Sequence, residues 1–320
     1  MPKRCWKSMR DLSEKRYLNS KADMAYYLGI DGGGSTIRVA LIDEKRDLIS
    51  HFKMCRNSNP TSTGFDYLKE TLEIIKGKLP AMASHFGTII INLAGVGADQ
   101  QKRMTKQIVK EVFPGTKKIE VYHDAHGSLL ANALDESAIL VICGTGSVIV
   151  GKDKRNRFYR VGGWGYLLGD EASGFWLVKR LFQEYLAYHD GVRKDDPSFV
   201  IFRDVFEHEP RDALYRFYEP SQRQATAALS ATFLSQSFEL AQQFVIEGIG
   251  NLQSRMMALK SKVKDEVQSI IYMGGMFESP FFLNQFKQIN HGQAPMRKGK
   301  DDIEIALAQI AQEKDGRDDR

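Results

Sequence analysis

The sequence has few cysteines and no long apolar run, and each scarcity excludes a class of protein. Three cysteines occur in 320 residues, at Cys5, Cys55 and Cys143. Because they are odd in number and far apart, they are typical neither of a disulfide framework nor of a thiolate metal site, and they favour a reducing cytoplasm. No segment approaches the roughly 20 apolar residues of a membrane span, so we expect no membrane partner.

Most of the chain is also close to neutral, although the formal net charge of the whole sequence is +5. Residues 1–23 contain seven Lys or Arg and three acidic residues, which leaves a net charge of +1 for the other 297 residues. A nucleic-acid surface would show in the body of a domain. We therefore expect no nucleic-acid partner, and we interpret residues 1–23 as a disordered basic extension.

Segments of strand length alternate with helical patterns along the rest of the chain. Residues 68–79 repeat apolar side chains at the spacing of one helical face. Residues 224–260 predict two helices that break near Gly248 and Gly250, and residues 189–222 indicate a helical insertion with loops. The strand signals lie at Tyr26–Ile30, Ile37–Ile42, Thr88–Leu93, Ile119–Tyr122, Ala138–Ile142, Val148–Val150 and Ser269–Met273. This alternation predicts α/β layers with mixed sheets.

One glycine-rich pattern occurs twice. The segments GIDGGGSTIRVALID and VICGTGSVIVGKD each contain an apolar strand, a turn that ends in serine, and a second apolar strand. The two copies are 112 positions apart and align Gly32 with Gly144, Gly34 with Gly146 and Ser35 with Ser147. One such hairpin in each of two domains could aim backbone N–H groups and hydroxyls at a single anion, such as a phosphate chain.

The hairpins are not either of two established phosphate-binding loops. The Walker pattern, which ends in Gly-Lys followed by Ser or Thr, does not occur. The dinucleotide fingerprint opens a helix, whereas the glycines at 32–34 open the apolar strand Ile37–Ile42. For either copy alone, a flexible hairpin without a ligand stays the alternative.

A third motif carries a family resemblance. GGWGYLLGDEASGFWL, at Gly162–Leu177, is similar to the signature of N-acetylglucosamine kinases and of the related BadF/BadG/BcrA/BcrD ATPases, within the sugar kinase, heat-shock chaperone and actin superfamily. NSNPTSTG, VYHDAHGSL and IIYMGGMF agree with it in order and spacing, so the resemblance covers about residues 24–310. The departure is Ala172, where the sugar kinases usually have glycine, and this leaves the backbone of the specificity loop open.

The resemblance implies an α/β fold of two ribonuclease-H-like domains, mixed β-sheets flanked by helices, around a nucleotide and sugar cleft. The N-terminal domain would span residues 24–123, with a returning helix at 300–315, and the larger C-terminal domain would span 124–299. ATP and Mg²⁺ are the cofactors that this architecture implies.

The resemblance also implies roles for individual residues. Asp31 would hold Mg²⁺ through water, since Mg²⁺ keeps much of its hydration shell. The sugar would contact Asn59, Thr145, Gly163, Trp164 and Asp170. ATP would contact both glycine-rich turns and a later glycine pair: Gly33, Gly34, Ser35, Thr36, Thr145, Gly146, Gly274 and Gly275.

Asp124 lies where a strand is predicted to end and a helix to begin. Its position alone favours a helix N-cap, whereas the resemblance implies the general base that accepts the proton of the sugar hydroxyl. A transition-metal site at His123, Asp124 and His126 is disfavoured, because adjacent side chains on one turn project in different directions.

Three functions follow from these observations. The first is ATP-dependent phosphorylation, in the cytoplasm, of the 6-hydroxyl of an amino sugar such as N-acetylglucosamine, glucosamine or N-acetylmuramic acid. The second is an activase-type ATPase that drives electron transfer, disfavoured because its iron–sulfur cluster needs cysteines. The third is a non-catalytic sugar sensor, disfavoured by the presence of Asp31, Asp124 and Asp170. The choice of amino sugar stays open, as does a homodimer.

Overall fold

The computed structural model describes residues 24–318, except 82, 84 and 207–209. The expected extension at residues 1–23 lies outside the described residues. The chain divides into two units. The first contains residues 24–134 and the C-terminal segment from Lys300, and the second contains Asp135–Gly299.

Ten strands and eleven α-helices of the described residues form these units. The strands are β1 (Tyr26–Gly32), β2 (Ile37–Asp43), β3 (Leu48–Met54), β4 (Phe86–Leu93), β5 (Lys118–His123), β6 (Ala138–Cys143), β7 (Ser147–Lys152), β8 (Phe158–Gly162), β9 (Ser269–Met273) and β10 (Met296–Lys298). The helices are α1 (Pro60–Thr63), α2 (Phe65–Lys78), α3 (Asp99–Val112), α4 (Asp124–Asn132), α5 (Gly174–His189), α6 (Val200–Phe206), α7 (Pro210–Tyr218), α8 (Arg223–Ser235), α9 (Glu239–Lys260), α10 (Pro280–Ile289) and α11 (Ile303–Asp318).

The two sheets share one topology. In the first unit the order is β3-β2-β1-β4-β5, and in the second it is β8-β7-β6-β9-β10. In each, the first three strands in sequence are antiparallel and the last two are parallel to the central strand. The two glycine-rich turns join β1 to β2 and β6 to β7, so they occupy equivalent places. The expected fold class, two domains with mixed β-sheets flanked by helices, is confirmed, and each sheet has five strands.

The core of the first unit surrounds β1 and β4. Every residue of β4 is buried, as expected for a central strand that is covered on both faces. The last helix, α11, packs against β1, β2, β4 and α4. A Cβ at Gly29 would lie 2.0 Å from the backbone oxygen of Glu304, so only glycine permits this close crossing. On β5, Glu120 accepts hydrogen bonds from Lys314 of α11 and from Tyr122.

The sequence predicts a domain boundary between residues 123 and 124, whereas the contacts in the structure place the boundary further along the chain. The division by contacts falls after Leu134, so α4 belongs to the first unit. The physical reason is packing: α4 contacts β4, β5 and the returning helix α11. The change from strand to helix at 123–124 is real, but it is not a change of domain.

Two sequence predictions of local structure also need correction. The unpredicted strands β3, β8 and β10 all lie at sheet edges, where one side is unpaired and the apolar signal is weak. The long helical segment breaks between Ser235 and Glu239, whereas Gly248 and Gly250 lie inside α9. Within the described residues, no helix is both long enough and apolar enough to cross a bilayer.

Candidate active site

Polar residues of the first unit gather where its parallel strands end. Asp31 is the second-last residue of β1, Asn92 is the second-last residue of β4, and His123 ends β5 directly before α4. The carboxyl ends of parallel strands meet at one edge of a sheet, and this edge is the usual place for ligands in open α/β sheets. Local strand geometry therefore brings together residues that are far apart in sequence.

Asp31 is a mostly buried carboxylate, with its side chain 17% exposed. Its Oδ1 accepts a hydrogen bond of 2.8 Å from Asn92 Nδ2, and its Oδ2 lies 3.7 Å from Arg38 Nη1. Burial raises the pKa of Asp31 to about 6, with the Asn92 hydrogen bond and the Arg38 charge opposing, and the Glu304 and Asp124 charges adding to the rise. A divalent cation would stabilise the ionised form of this carboxylate beyond what Arg38 provides, and oxygen is the ligand that Mg²⁺ prefers. The residue therefore fits the expected Mg²⁺ site.

Asp124 begins α4 but is not its N-cap. The N-cap is His123, and Asp124 occupies the first helical position. Its Oδ1 accepts 2.8 Å hydrogen bonds from the Ala125 N–H and from His123 Nδ1. Burial acts to raise the pKa of Asp124, but the His123 hydrogen bond and charge, the Ala125 N–H and the charge of His126 outweigh it, so the pKa lies below its usual value. The N-cap interpretation is wrong, and the side chain, 44% exposed, is an accessible anion.

The glycines of the first glycine-rich turn differ in why glycine is needed. Gly32 is needed for packing, since a Cβ there would lie 2.2 Å from Ser58 Oγ. Around Gly33 and Gly34 there is open space, with the nearest atom 3.9 Å from a Cβ at Gly33 and none within 4 Å at Gly34. The turn is closed by the Gly33 N–H donating to Thr36 O at 2.9 Å and is braced by Ser58 N–H and Oγ donating to Gly33 O. A ligand could therefore approach the backbone at residues 33 and 34.

Asn59 caps α1 through its side-chain oxygen. Oδ1 accepts a 3.0 Å hydrogen bond from the Thr61 N–H, and Nδ2 donates to none of the described residues. Gly95, at φ 78°, makes room for this side chain, since a Cβ there would lie 1.9 Å from Asn59 Oδ1. An amide donor is thus held at a fixed place, as its predicted sugar contact requires.

The second glycine-rich turn is also closed by a backbone hydrogen bond, although it is one residue shorter than the first. The Gly144 N–H donates to Gly146 O at 2.9 Å, and Gly144 O accepts from the Gly174 N–H at 2.8 Å. A Cβ at Gly146 would lie 2.6 Å from Asp170 Oδ2, so this glycine makes room for the carboxylate. Thr145 O accepts a 3.4 Å hydrogen bond from the Phe175 N–H, which ties the turn to the start of α5.

Asp170 is buried against this turn, with its backbone at φ 58°. Its carboxylate accepts backbone hydrogen bonds from Ser147 and Gly165. Burial raises the pKa of Asp170, and the Arg223 charge and these two N–H groups oppose that rise. The side chain therefore joins the second glycine-rich turn to the loop that follows β8, and its sugar contact stays a prediction.

The loop after β8 exposes an aromatic ring. Trp164 is 68% exposed and lies under the guanidinium of Arg160, at 4.9 Å from the ring centroid. Gly163, at φ 67°, is required because a Cβ there would lie 2.7 Å from Val148 Cγ2. Trp176, by contrast, is buried in the core.

Ala172 adopts the left-handed backbone conformation that favours glycine, at φ 66°. The segment around it is held from two sides: Arg255 forms a bidentate ion pair with Glu171, and Ser147 Oγ donates to Glu171 O at 2.7 Å. A Cβ at Gly248 would lie 2.9 Å from the Ala172 Cβ, so α9 has glycine where it meets this residue. The loop therefore accommodates alanine at the cost of local strain.

The two glycines after β9, Gly274 and Gly275, differ in their surroundings. Gly274, at φ 107°, packs so closely that a Cβ there would lie 2.3 Å from Cys143 O, whereas Gly275 has open space. Gly275 borders a pocket of about 220 Å³ that α8 and the segment after β9 form, lined by Ser230, Ala231, Leu234, Ser235, Glu278, Ser279 and Pro280. Burial raises the pKa of the Cys143 thiol, with the charge of Asp170 adding to the effect, which keeps it a neutral packed group.

Sequence reasoning missed Asn92, Gly95 and Ser58, which support the predicted residues. Asn92 had a visible signal, since a single polar residue interrupts the apolar strand FGTIIINL. In the described part of the chain, no group of three or more His, Cys, Asp or Glu side chains is arranged to hold a metal ion.

The fold and sequence resemble those of known sugar kinases. An N-acetylmuramic acid/N-acetylglucosamine kinase of Clostridium acetobutylicum is 35% identical over 158 residues, covering 48% of this chain and 50% of that protein. The chain therefore spans about half the length of that relative. An N-acetyl-D-glucosamine kinase of Dictyostelium discoideum is 26% identical, covering 79% of this chain and 85% of that protein.

Solved structures agree on the fold. A proposed N-acetylglucosamine kinase from Chromobacterium violaceum superposes with a TM-score of 0.71 at 21% identity, covering 90% of this chain and 99% of that one. A glucokinase from Streptomyces griseus, in complex with glucose and AMPPNP, has a TM-score of 0.59 at 15% identity, covering 90% and 100%. The family model matches residues 28–301, and the chain belongs to the BadF/BadG/BcrA/BcrD ATPase family.

Proposed function

We propose that this protein transfers the γ-phosphoryl group of ATP to the 6-hydroxyl of an amino sugar, N-acetylglucosamine or a close relative. The observation that carries the proposal is the pairing of Asp31 and Asp124 at one sheet edge, joined by Asn92. One carboxylate suits a Mg²⁺ ion and the other suits the acceptor hydroxyl. The relatives named as amino-sugar kinases support the choice of substrate.

The proposed nucleotide contacts rest on backbone that a ligand can approach. In the first unit, Gly33 and Gly34 leave open space beside Ser35 and Thr36, whose hydroxyls add donors. In the second unit, Thr145 and Gly146 would bind phosphate in the same way. Gly274 and Gly275 would face the adenosine, with the adjacent 220 Å³ pocket taking the base. When bound, Mg²⁺ would neutralise phosphate charge during the transfer.

Asp124 would act as the general base. As the sugar oxygen forms its bond to the γ-phosphorus and the bond to ADP breaks, the hydroxyl proton passes to the Asp124 carboxylate. His123 and the Ala125 N–H hold the carboxylate ionised and in one orientation. A lowered pKa makes it a modest base, and phosphoryl transfer relies more on positioning and charge than on base strength.

The sugar contacts follow from groups held near these elements. Asn59 offers its Nδ2 as a donor, and Trp164 offers an exposed ring on which a sugar face could stack. Asp170 accepts hydrogen bonds from two backbone N–H groups, and its remaining lone pairs could accept a sugar hydroxyl. We therefore assign it a binding role and not the role of base.

ADP release against a panel of sugars at equal concentration tests the proposal. N-acetylglucosamine, glucosamine or N-acetylmuramic acid should stimulate release well above glucose and above sugar-free hydrolysis. The 6-deoxy analogue of the preferred sugar should bind without being phosphorylated, because it lacks the acceptor oxygen. Preference for glucose, or no stimulation by any sugar, would refute the assignment to an amino sugar. Turnover of the 6-deoxy sugar would refute the assignment of the 6-hydroxyl as the acceptor.

A further inference from the structure

Asn92 is a fully buried polar residue in a strand that is otherwise suited to apolar packing. Its Nδ2 donates both hydrogens, one to Asp31 Oδ1 at 2.8 Å and the other to the backbone oxygen of Asp124 at 3.0 Å. A single side chain therefore holds the carboxylate at the end of β1 and the first residue of α4. No motif in the sequence assigns it a role.

The surroundings fix the orientation of this amide. Rotating it by half a turn would point its oxygen at two acceptors, the Asp31 carboxylate and the Asp124 carbonyl, so only one orientation is acceptable. In that orientation Asn92 Oδ1 is buried and accepts no hydrogen bond from the described residues. A buried acceptor without a partner is rare in native structures, and each instance needs an explanation.

The neighbouring helix is shaped around the same amide. A Cβ at Gly127 would lie 2.1 Å from Asn92 Oδ1, so α4 has glycine where it passes over this residue. An aliphatic residue at position 92 would avoid the unpaired oxygen and would suit the buried strand. The arrangement is therefore explained by what Asn92 holds in place and not by packing.

We propose that Asn92 is a positioning residue, which turns the Asp31 carboxylate toward Mg²⁺ and fixes the start of α4 that carries Asp124. The inference rests on the proposed role of Asp31 in the nucleotide site. Because Asn92 donates to Oδ1 of Asp31, Oδ2, which lies 3.7 Å from Arg38 Nη1, is the oxygen proposed to face the hydrated cation. Partners of this kind typically change metal affinity or activity by roughly 10- to 100-fold when they are removed.

Asn92→Leu tests the proposal with Thr88→Val as its matched control. Thr88 lies on the same face of β4, is fully buried, and has a hydroxyl without a hydrogen-bond partner among the described residues. Both substitutions remove a buried polar group, but only one removes a contact to Asp31. Calorimetric titration of Mg²⁺ into protein with a non-hydrolysable ATP analogue gives the readout, and thermal unfolding without ligands reports the fold.

We expect Asn92→Leu to weaken Mg²⁺ binding by roughly 10- to 100-fold, with little change in Mg²⁺-free nucleotide affinity, and Thr88→Val to leave both unchanged. If folded Asn92→Leu binds Mg²⁺ within twofold of wild type, or if Thr88→Val weakens it equally, the proposal is wrong. Should Asn92→Leu fail to fold, Gly127→Ala replaces it, because the added methyl displaces the amide, and unchanged Mg²⁺ affinity in that variant overturns the proposal. A wild type that binds Mg²⁺ and nucleotide but phosphorylates no amino sugar refutes the proposed function while this comparison still decides the role of Asn92.

Discussion

Asp124→Asn separates the chemistry proposed for this residue from its structural contacts. The carboxylate accepts the Ala125 N–H and pairs with His123 Nδ1, each at 2.8 Å. Asparagine has the same shape and keeps an oxygen for the Ala125 N–H, but it loses the negative charge. The substitution therefore removes the proton acceptor and the attraction to His123, and little else.

The structure gives different magnitudes for the two losses. The pair is partly exposed, at 44% for Asp124 and 23% for His123, so its removal should cost roughly 0–1 kcal/mol of unfolding free energy. Loss of a general base typically lowers turnover by about 10²- to 10⁴-fold, which corresponds to roughly 3–5 kcal/mol of barrier. A catalytic role thus predicts a large kinetic effect in a protein of nearly normal stability.

Asp99→Asn is the matched control for this experiment. Asp99 is the first residue of α3, the position that Asp124 has in α4. Both substitutions weaken the favourable interaction of an acidic residue with a helix N-terminus, which is worth about 0.3–1 kcal/mol. Only Asp124→Asn should reduce kcat, as measured by ADP release at saturating sugar and ATP.

Two results would refute the reasoning. A kcat for Asp124→Asn within threefold of wild type would remove Asp124 from the proton transfer and leave Asp170 as the candidate base. An equal loss of kcat in Asp99→Asn would mean that the effect arises from helix stability in the first unit. Thermal unfolding of both variants, without ligands, distinguishes this second result from a loss of fold.

Three further predictions concern stability and nucleotide binding. Glu120→Gln should lower the free energy of unfolding by about 1–3 kcal/mol at neutral pH by breaking the contact with Lys314. Burial acts to raise the pKa of Glu120, but the hydrogen bonds from Lys314 and Tyr122 outweigh it, so the pKa lies below its usual value. The difference in unfolding free energy between wild type and Glu120→Gln should therefore disappear as the pH falls below about 4 in urea titrations. A difference that stays constant with pH would contradict this prediction. Ala172→Gly should raise the unfolding free energy by up to about 1 kcal/mol by relieving the strain at φ 66°, and a loss of stability would mean that the alanine methyl matters more for packing. Gly275→Val should leave the unfolding temperature nearly unchanged, since a Cβ there meets open space. It should raise the KM for ATP roughly tenfold, because the added side chain would overlap with the adenine base. An unchanged KM would mean that the adenine does not bind beside Gly275.

Periodicity predicted the central strands well and the edges poorly. β1, β4, β6 and β9 are buried, and their apolar runs are visible in the sequence. Edge strands such as β3 alternate between exposed and half-buried residues, so their composition resembles that of loops. The glycines in α9 were misinterpreted as a helix break, because Gly248 serves close packing against Ala172 and such packing has no local signal.

The sequence by itself determined the duplicated glycine-rich hairpins, the mixed α/β class and the family, because each depends on residues that are close together in the chain. Tertiary structure alone decided which side chains meet. The contact of Asn92 with Asp31 joins residues 61 positions apart, and its second contact, to Asp124, spans 32 positions. The same holds for the use of each glycine: Gly32 and Gly146 make room for neighbouring side chains, whereas a Cβ at Gly34 would meet open space. Local sequence sets the backbone conformations that are available, but packing of strands β1, β4 and β5 in register determines which atoms come within hydrogen-bonding distance.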